Sequence, residues 1–244
     1  MAHIVMYAAT SAIAAAVARR LAARGDALYL IARDPAKLAV LQAELGEAVR
    51  GVDAEAGVAP SERWARATQA LGTVDAVLMA QGHLPDQLET ERSALAMRAT
   101  FDANLTDVVA QLLPVADALE AQGRGTLAVI TSVAGMRGRP RNFTYGAAKA
   151  GLSTWLRGLR SRLWPSGARV VDLRPGPVVT PMTEGHPRNP LFATPEGIAG
   201  PIVRALDRGG PRVVYLPAYW GPIMAVIRRL PEWLFQRFGF LAGR

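Results

Sequence analysis

Seven short apolar runs separated by stretches with helical spacing constrain this chain more than any other feature. In order they read HIVMYA, ALYLIAR, AVRGVD, VDAVLMA, TLAVITS, ARVVDLRPG and RVVYLP. Runs that are continuously apolar, without period-two alternation, belong to strands covered on both faces of a parallel sheet. Parallel strands need crossovers, and the intervening segments supply helices. SAIAAAVARRLAARG ends at Gly25 as a C-cap, and Asp34 with Pro35 forms the N-cap and first position of a helix through Leu45. Further helices are expected over residues 61–71, 143–164 and 195–208, with one long, interrupted or bent helical stretch over 87–122.

Right-handed crossovers then give an α/β, single-domain Rossmann fold, a doubly wound parallel sheet with helices on both faces. Ligands of such sheets sit outside the C-terminal strand ends, here near Ala8, Arg33, Asp53, residues 80–82, Ser132 and residues 175–180. With 244 residues, half of them hydrophobic, the chain can bury one sizeable core. The absence of cysteine removes disulfides, thiolate metal sites and cysteine nucleophiles and fits a reducing cytosol. His3, His83 and His186 are isolated from one another, so no metal site is expected.

The alanine-rich run over 8–18 has no basic segment before it and reads as a buried helix start, not a signal peptide. No apolar run reaches the roughly 18 residues of a membrane-spanning helix. The net charge of +8 rests on 26 arginines against two lysines, Lys37 and Lys149. Spread basicity attracts anions, but no nucleic-acid-binding motif accompanies it, and no nucleic-acid partner is expected.

The strongest chemical signal is YGAAK, residues 145–149, near a helix start. Tyr145 and Lys149 share one helical face at i and i+4, so the ammonium is expected to lower the phenol pKa toward the working range of a general acid or base. Ser132 ends the TLAVITS strand, where its hydroxyl can meet a substrate carbonyl. Asn104, in the helical FDANL segment, is a candidate for holding a water that relays protons to the lysine.

In this order and on this architecture, the residues resemble the short-chain dehydrogenase/reductase family of classical type, from about residue 4 to residue 217. The resemblance implies a catalytic tetrad of Asn104, Ser132, Tyr145 and Lys149, and a nicotinamide cofactor that carries the hydride. It places Asp53 beside the adenine and RPGPVVTPM, with Pro175, Gly176, Val178 and Thr180, beside the nicotinamide. The family's glycine-rich phosphate loop aligns with YAATSAIA, residues 7–14, so Ala8, Ala12 and Ala14 replace glycines, and Ala80, Gln81 and Gly82 replace Asn-Ala-Gly. Alanine disfavours positive φ. Backbone amides, the helix dipole, Thr10, Ser11 and Ile13 remain to hold phosphate, and the loop reads as a tolerated variant. Arg33 at the end of the second strand suits a 2′-phosphate, so NADP(H) is expected in preference to NAD(H), with Asp34 as a helix cap.

A narrower resemblance, carried by SVAGMRGRPRNFTYGAAKAGL and VVYLPAYWGPIMAVIRRLPEWLF, is to actinobacterial reductases of decaprenylphosphoryl-2-keto-ribose, which serve cell-wall biosynthesis. It implies a lipid-linked keto-sugar substrate. Arg137, Arg139 and Arg141 at the site mouth, with Met182, are the candidate substrate contacts. Residues 218–244, which include Trp220, Trp233, Phe235, Phe238, Arg228, Arg229 and Arg237, form an extension suited to a membrane interface or to a subunit contact. The loop over 180–197 is positioned as a lid. A cytoplasmic homodimer or homotetramer, peripheral at the inner face of the cell membrane, is the expectation that follows. The competing readings are a reductase of another apolar ketone, such as a 3-oxoacyl thioester or steroid, a non-catalytic NADP-binding scaffold, and a basic membrane- or nucleic-acid-binding module.

Overall fold

Each apolar run forms a strand, and all of them pair in parallel. The computed structural model describes residues 1–185, 187–207 and 212–237; His186, Phe238 and the end of the C-terminal extension lie outside them. The strands are β1 (His3–Tyr7), β2 (Ala27–Ile31), β3 (Val49–Asp53), β4 (Ala76–Met79), β5 (Thr126–Ile130), β6 (Arg169–Pro175) and β7 (Val213–Leu216), in the order β3-β2-β1-β4-β5-β6-β7. β1 sits between β2 and β4, in register from Ile4 opposite Ala76 to Tyr7 opposite Met79. That reversal of strand order opens the crevice where ligands of this fold bind.

The helices are α1 (Ala12–Ala23), α2 (Pro35–Leu45), α3 (Pro60–Leu71), α4 (Gln87–Arg92), α5 (Ala94–Phe101), α6 (Asp107–Gln122), α7 (Phe143–Leu163), α8 (Pro195–Leu206), α9 (Trp220–Ile227) and α10 (Glu232–Arg237). Alternate strand side chains point to opposite faces. Ile4, Met6, Leu28 and Leu30 pack against α1, α2 and α8, whereas Val5, Tyr7, Tyr29 and Ile31 pack against α3, α6 and α7. The small residues of the alanine-rich run let α1 lie close to the sheet, with Ala14, Val17 and Ala18 fully buried.

The helical stretch over 87–122 is interrupted as expected. Ser93 takes an extended backbone and caps α5 through its side chain, and a π-helical turn (Asp102–Thr106) joins α5 to α6. Asn104 lies in that turn, a helix irregularity that often marks a functional site. Asp34 caps α2 by accepting the amides of Ala36 and Lys37, both at 3.0 Å. Among the described residues no helix is long and apolar enough to cross a membrane.

Candidate active site

Ser132 follows β5 directly, and its Oγ accepts the amide of Ala134 at 3.0 Å, which fixes a short 3-10 turn (Val133–Met136). Two glycines seat that turn against α7. A Cβ on Gly135 would lie 2.8 Å from the Ala150 nitrogen, and one on Gly146 would lie 2.8 Å from the Ala134 carbonyl oxygen. The close approach brings Ser132 beside Tyr145, where its hydroxyl works against the rise of the phenol pKa.

The first turn of α7 has no cap from its own N-terminal residue, Asn142. Gln87 on α4 substitutes for it. Its Oε1 accepts the Thr144 amide at 3.1 Å and its Nε2 donates to the Thr144 hydroxyl at 3.1 Å, while Thr90 bonds that same hydroxyl at 2.9 Å. This buried network fixes the backbone beside Tyr145. Sequence reasoning missed Gln87, Gly135 and Gly146, because their partners are distant in the chain or lie across a packing contact.

Lys149 is 1% exposed, and its ammonium donates to the carbonyls of Gln81 and Ile130, both at 3.2 Å. Burial pushes its pKa down to about 8, opposed by the charge of buried Asp172, which Arg174 holds at 2.6 Å. The effect expected of the lysine on Tyr145 is corrected. The ammonium stands 5.9 Å from the phenol ring centroid, and desolvation pushes the phenol up to about 12, with only the Ser132 hydroxyl working against it. Tyr145 is therefore a protonated acid at neutral pH.

Asn104 is fully buried, and its side chain is spent on structure. Its Oδ1 accepts the His83 amide at 3.0 Å, and its Nδ2 donates to the carbonyls of His83 and Thr100 at 2.8 and 2.9 Å. That clamp holds the 80–83 loop over Lys149, and a Cβ on Gly82 would lie 3.1 Å from Nζ and 3.2 Å from Asn104 Oδ1. Both Nδ2 hydrogens are used in this clamp, which leaves the second lone pair of Oδ1 as the one side-chain position that could meet the expected water.

Of the three alanines in the first loop, only Ala8 takes a positive φ, 54°. Ala12 and Ala14 are helical, so the glycine-like geometry is confined to one residue. Ser11 caps α1 through the Ala14 amide, and the amides of Ala12 and Ile13 have no acceptor among the described residues. Free amides at a helix start are an anion site. Relief of roughly 1–2 kcal/mol of left-handed strain, less roughly 0.5–1 kcal/mol of added chain entropy, predicts that Ala8→Gly stabilises the fold by about 0.5–1 kcal/mol. Ala14→Gly, inside a helix and fully buried, is expected to destabilise by at least that much. Urea midpoints of the two variants should move in opposite directions.

Arg33 is exposed at the end of β2 with no carboxylate partner among the described residues. Asp53 is buried, accepts the Glu55 amide at 3.0 Å and pairs with Arg63 at 3.2 Å. Thr180 donates its amide to Thr183 Oγ1 at 3.1 Å, and Val178 forms an isolated parallel bridge to Ala193 that ties down the base of the 180–193 loop.

A short chain dehydrogenase family pattern matches residues 2–190. The chain belongs to the short-chain dehydrogenase family. It is similar to an uncharacterised oxidoreductase of Mycobacterium tuberculosis, 36% identical over 97% of this chain and 96% of the relative. An uncharacterised oxidoreductase of Streptomyces coelicolor is 39% identical over 93% and 92% of the two chains. A Burkholderia cenocepacia short chain dehydrogenase solved with NADP shares the fold, with a TM-score of 0.81 and 22% identity over 96% of this chain and 95% of that one.

This short-chain dehydrogenase departs from expectation at its mouth. Arg137 is already engaged. It donates to the carbonyls of Ile227 and Leu230 at 2.8 and 2.6 Å, pairs with Glu232 at 2.7 Å and lies over the Phe235 ring. It latches the C-terminal segment onto the Ser132 turn, where Trp220, Met224, Ile227 and Phe235 bury with Val133. The apolar face expected to meet a membrane or a second subunit is thus largely consumed within the chain; Val226 and Trp233 remain exposed, at 62% and 60%. Arg141 is exposed, and Met182 lies 43% exposed on the loop after β6. Trp220 faces Gly176 so closely that a Cβ there would fall 1.9 Å from its indole nitrogen, which explains the glycine of that motif.

Proposed function

We propose that the chain is an NADP(H)-dependent carbonyl reductase in which Ser132 orients the carbonyl, Tyr145 exchanges the proton and Lys149 supplies the adjacent positive field. The grouping of Ser132 and Tyr145, with Lys149 buried behind them and bonded to the end of β5, carries this reading. The phenol, protonated at neutral pH, gives its proton to the carbonyl oxygen, and the Ser132 hydroxyl holds that oxygen in place. The clamp of Asn104 on the 80–83 loop keeps the Gln81 carbonyl on the ammonium.

The donor set fits the cofactor. Ala8, Thr10, Ser11, Ala12 and Ile13 would hold the pyrophosphate, Arg33 the 2′-phosphate, Asp53 the adenine, and residues 80–82 with Pro175, Gly176, Val178 and Thr180 the nicotinamide ribose and ring. When bound, the nicotinamide supplies or accepts the hydride. The Burkholderia fold neighbour carries NADP, and Arg33, without a carboxylate partner among the described residues, supports the same choice here. Arg33→Ala is expected to weaken NADPH binding by about tenfold or more, as loss of a charge-assisted phosphate contact does, and to leave NADH binding within about twofold. Fluorescence titration of both cofactors reads that ratio, and an unchanged ratio would remove the preference for NADP(H).

The substrate proposed is a lipid-linked keto-sugar of the decaprenylphosphoryl-2-keto-ribose kind, reduced by a symmetric oligomer at the cytoplasmic membrane face. Arg139 and Arg141 near the site mouth support it, as does the outer face of the C-terminal segment, where Val226 and Trp233 lie among Arg228, Arg229 and Arg237. NADPH oxidation with such a keto-sugar, compared with a short 3-oxoacyl thioester, tests it; turnover of the thioester alone would overturn it.

A further inference from the structure

The other guanidiniums packed into this protein find oxygen. Arg63 has Asp53, Arg174 has Asp172, Arg160 has the carbonyls of Val170 and Arg212, and Arg137 has Glu232 with two carbonyls. Arg139 does not. Its sole partner among the described residues is the Met224 thioether, 3.7 Å from Nη2, and its buried Nε has none. A thioether is a weak acceptor, so this half-buried cation has no oxygen partner among the described residues. Burial accordingly pulls its pKa below the ordinary arginine value.

Its position gives that cost a use. Arg139 stands on the loop between Ser132 and Tyr145, seven residues after one and six before the other. Met224 lies one helical turn along α9 from Trp220, whose indole nitrogen is also buried without a partner and abuts Gly176. Glu232, the acid on the adjoining segment, is taken by Arg137. Among the described residues no carboxylate pairs with Arg139 or Trp220 on the wall between the Ser132 turn, Gly176 and α9, and the terminal nitrogens of Arg139 are its open donors.

We propose that Arg139 binds an oxyanion, phosphate or carboxylate, carried by the carbonyl substrate, with Met224 and the latched α9 as the wall that presents it. This rests on the reductase reading and deepens it by naming the group that holds the substrate's anion. It assigns to Arg139 alone the contact expected of three arginines and makes Arg137 the residue that builds the wall.

Thermal denaturation of the protein saturated with NADP⁺, so that the cofactor's own phosphate sites are filled, provides the test. Sodium phosphate and sodium acetate are titrated separately at constant ionic strength. The wild type should show a saturable rise in Tm, and the anion giving the larger rise identifies the source as phosphate or carboxylate. Arg139→Met should bind the anion about tenfold or more weakly. Arg139→Lys, which keeps the charge, should retain a saturable response and guards against misfolding of the methionine variant. No saturable rise in the wild type with either anion, or an equal rise in Arg139→Met, overturns the proposal. Absence of a Tm shift on adding NADP⁺ itself would instead remove the reductase reading, and the response of Arg139→Met to phosphate decides the anion site in either case.

Discussion

Tyr145→Phe should lower carbonyl reduction by roughly 10²–10⁴-fold, the range a positioned proton donor supplies, without disturbing the fold. Phenylalanine keeps the ring that α7 packs, so circular dichroism and Tm should match the wild type closely. The fall should appear in kcat, because the proton is needed only as charge develops on the carbonyl oxygen. A variant retaining more than a tenth of wild-type kcat would show that another group delivers the proton. In the wild type, the phenol, pushed up to about 12, stays protonated throughout the neutral range, whereas Lys149 loses its proton near pH 8. Reduction should therefore decline as pH rises through about 8, and that inflection should be absent when Lys149 is replaced.

Lys149→Met should do two opposite things at once. Turnover should drop by about 10²–10³-fold, as for the loss of one preorganised electrostatic group. Stability at pH 7 should rise. The folded-state pKa of Lys149 lies near 8, below that of an unfolded lysine, so the folded protein pays to keep the group charged at pH 7. Roughly 3 kcal/mol is at stake, of which the two lost hydrogen bonds to Gln81 and Ile130 return about 2, leaving a net gain near 1 kcal/mol. For a chain of this size that is a Tm increase of about 2–4 °C. The sign of the pH dependence follows. The unfolded chain binds more protons between pH 8 and the ordinary lysine value, so the wild type gains stability across that window and the gap to Lys149→Met closes. A variant less stable than the wild type at pH 7 would mean that the ammonium holds the site together and does not strain it.

The strands, most helices and the order of Asn104, Ser132, Tyr145 and Lys149 were legible because they depend on local periodicity and on side chains that advertise their chemistry. Asp34 read correctly as a helix cap for the same reason, its acceptors being two and three residues away. Arg137 was not legible. Its partners lie 90 to 95 residues later, and only the folded chain shows that a basic loop side chain is a latch. The rise of the Tyr145 pKa escaped for a related reason: i,i+4 spacing brings Lys149 near, but backbone carbonyls of two other elements turn its ammonium away and burial decides the balance. The loop alanines were judged as a group, whereas the backbone asks for a glycine-like φ only at Ala8. Gly176 was legible as a motif residue, but the packing reason for a glycine there, Trp220 filling the space a Cβ would need, was not.

All of this depends on the alanine-containing loop being a working cofactor site, and a fluorescence titration of NADPH into the wild-type protein tests that most directly. NADPH should bind saturably, and more tightly than NADH. No saturation by NADPH, with binding restored when Ala8, Ala12 and Ala14 are changed to glycine, would contradict it.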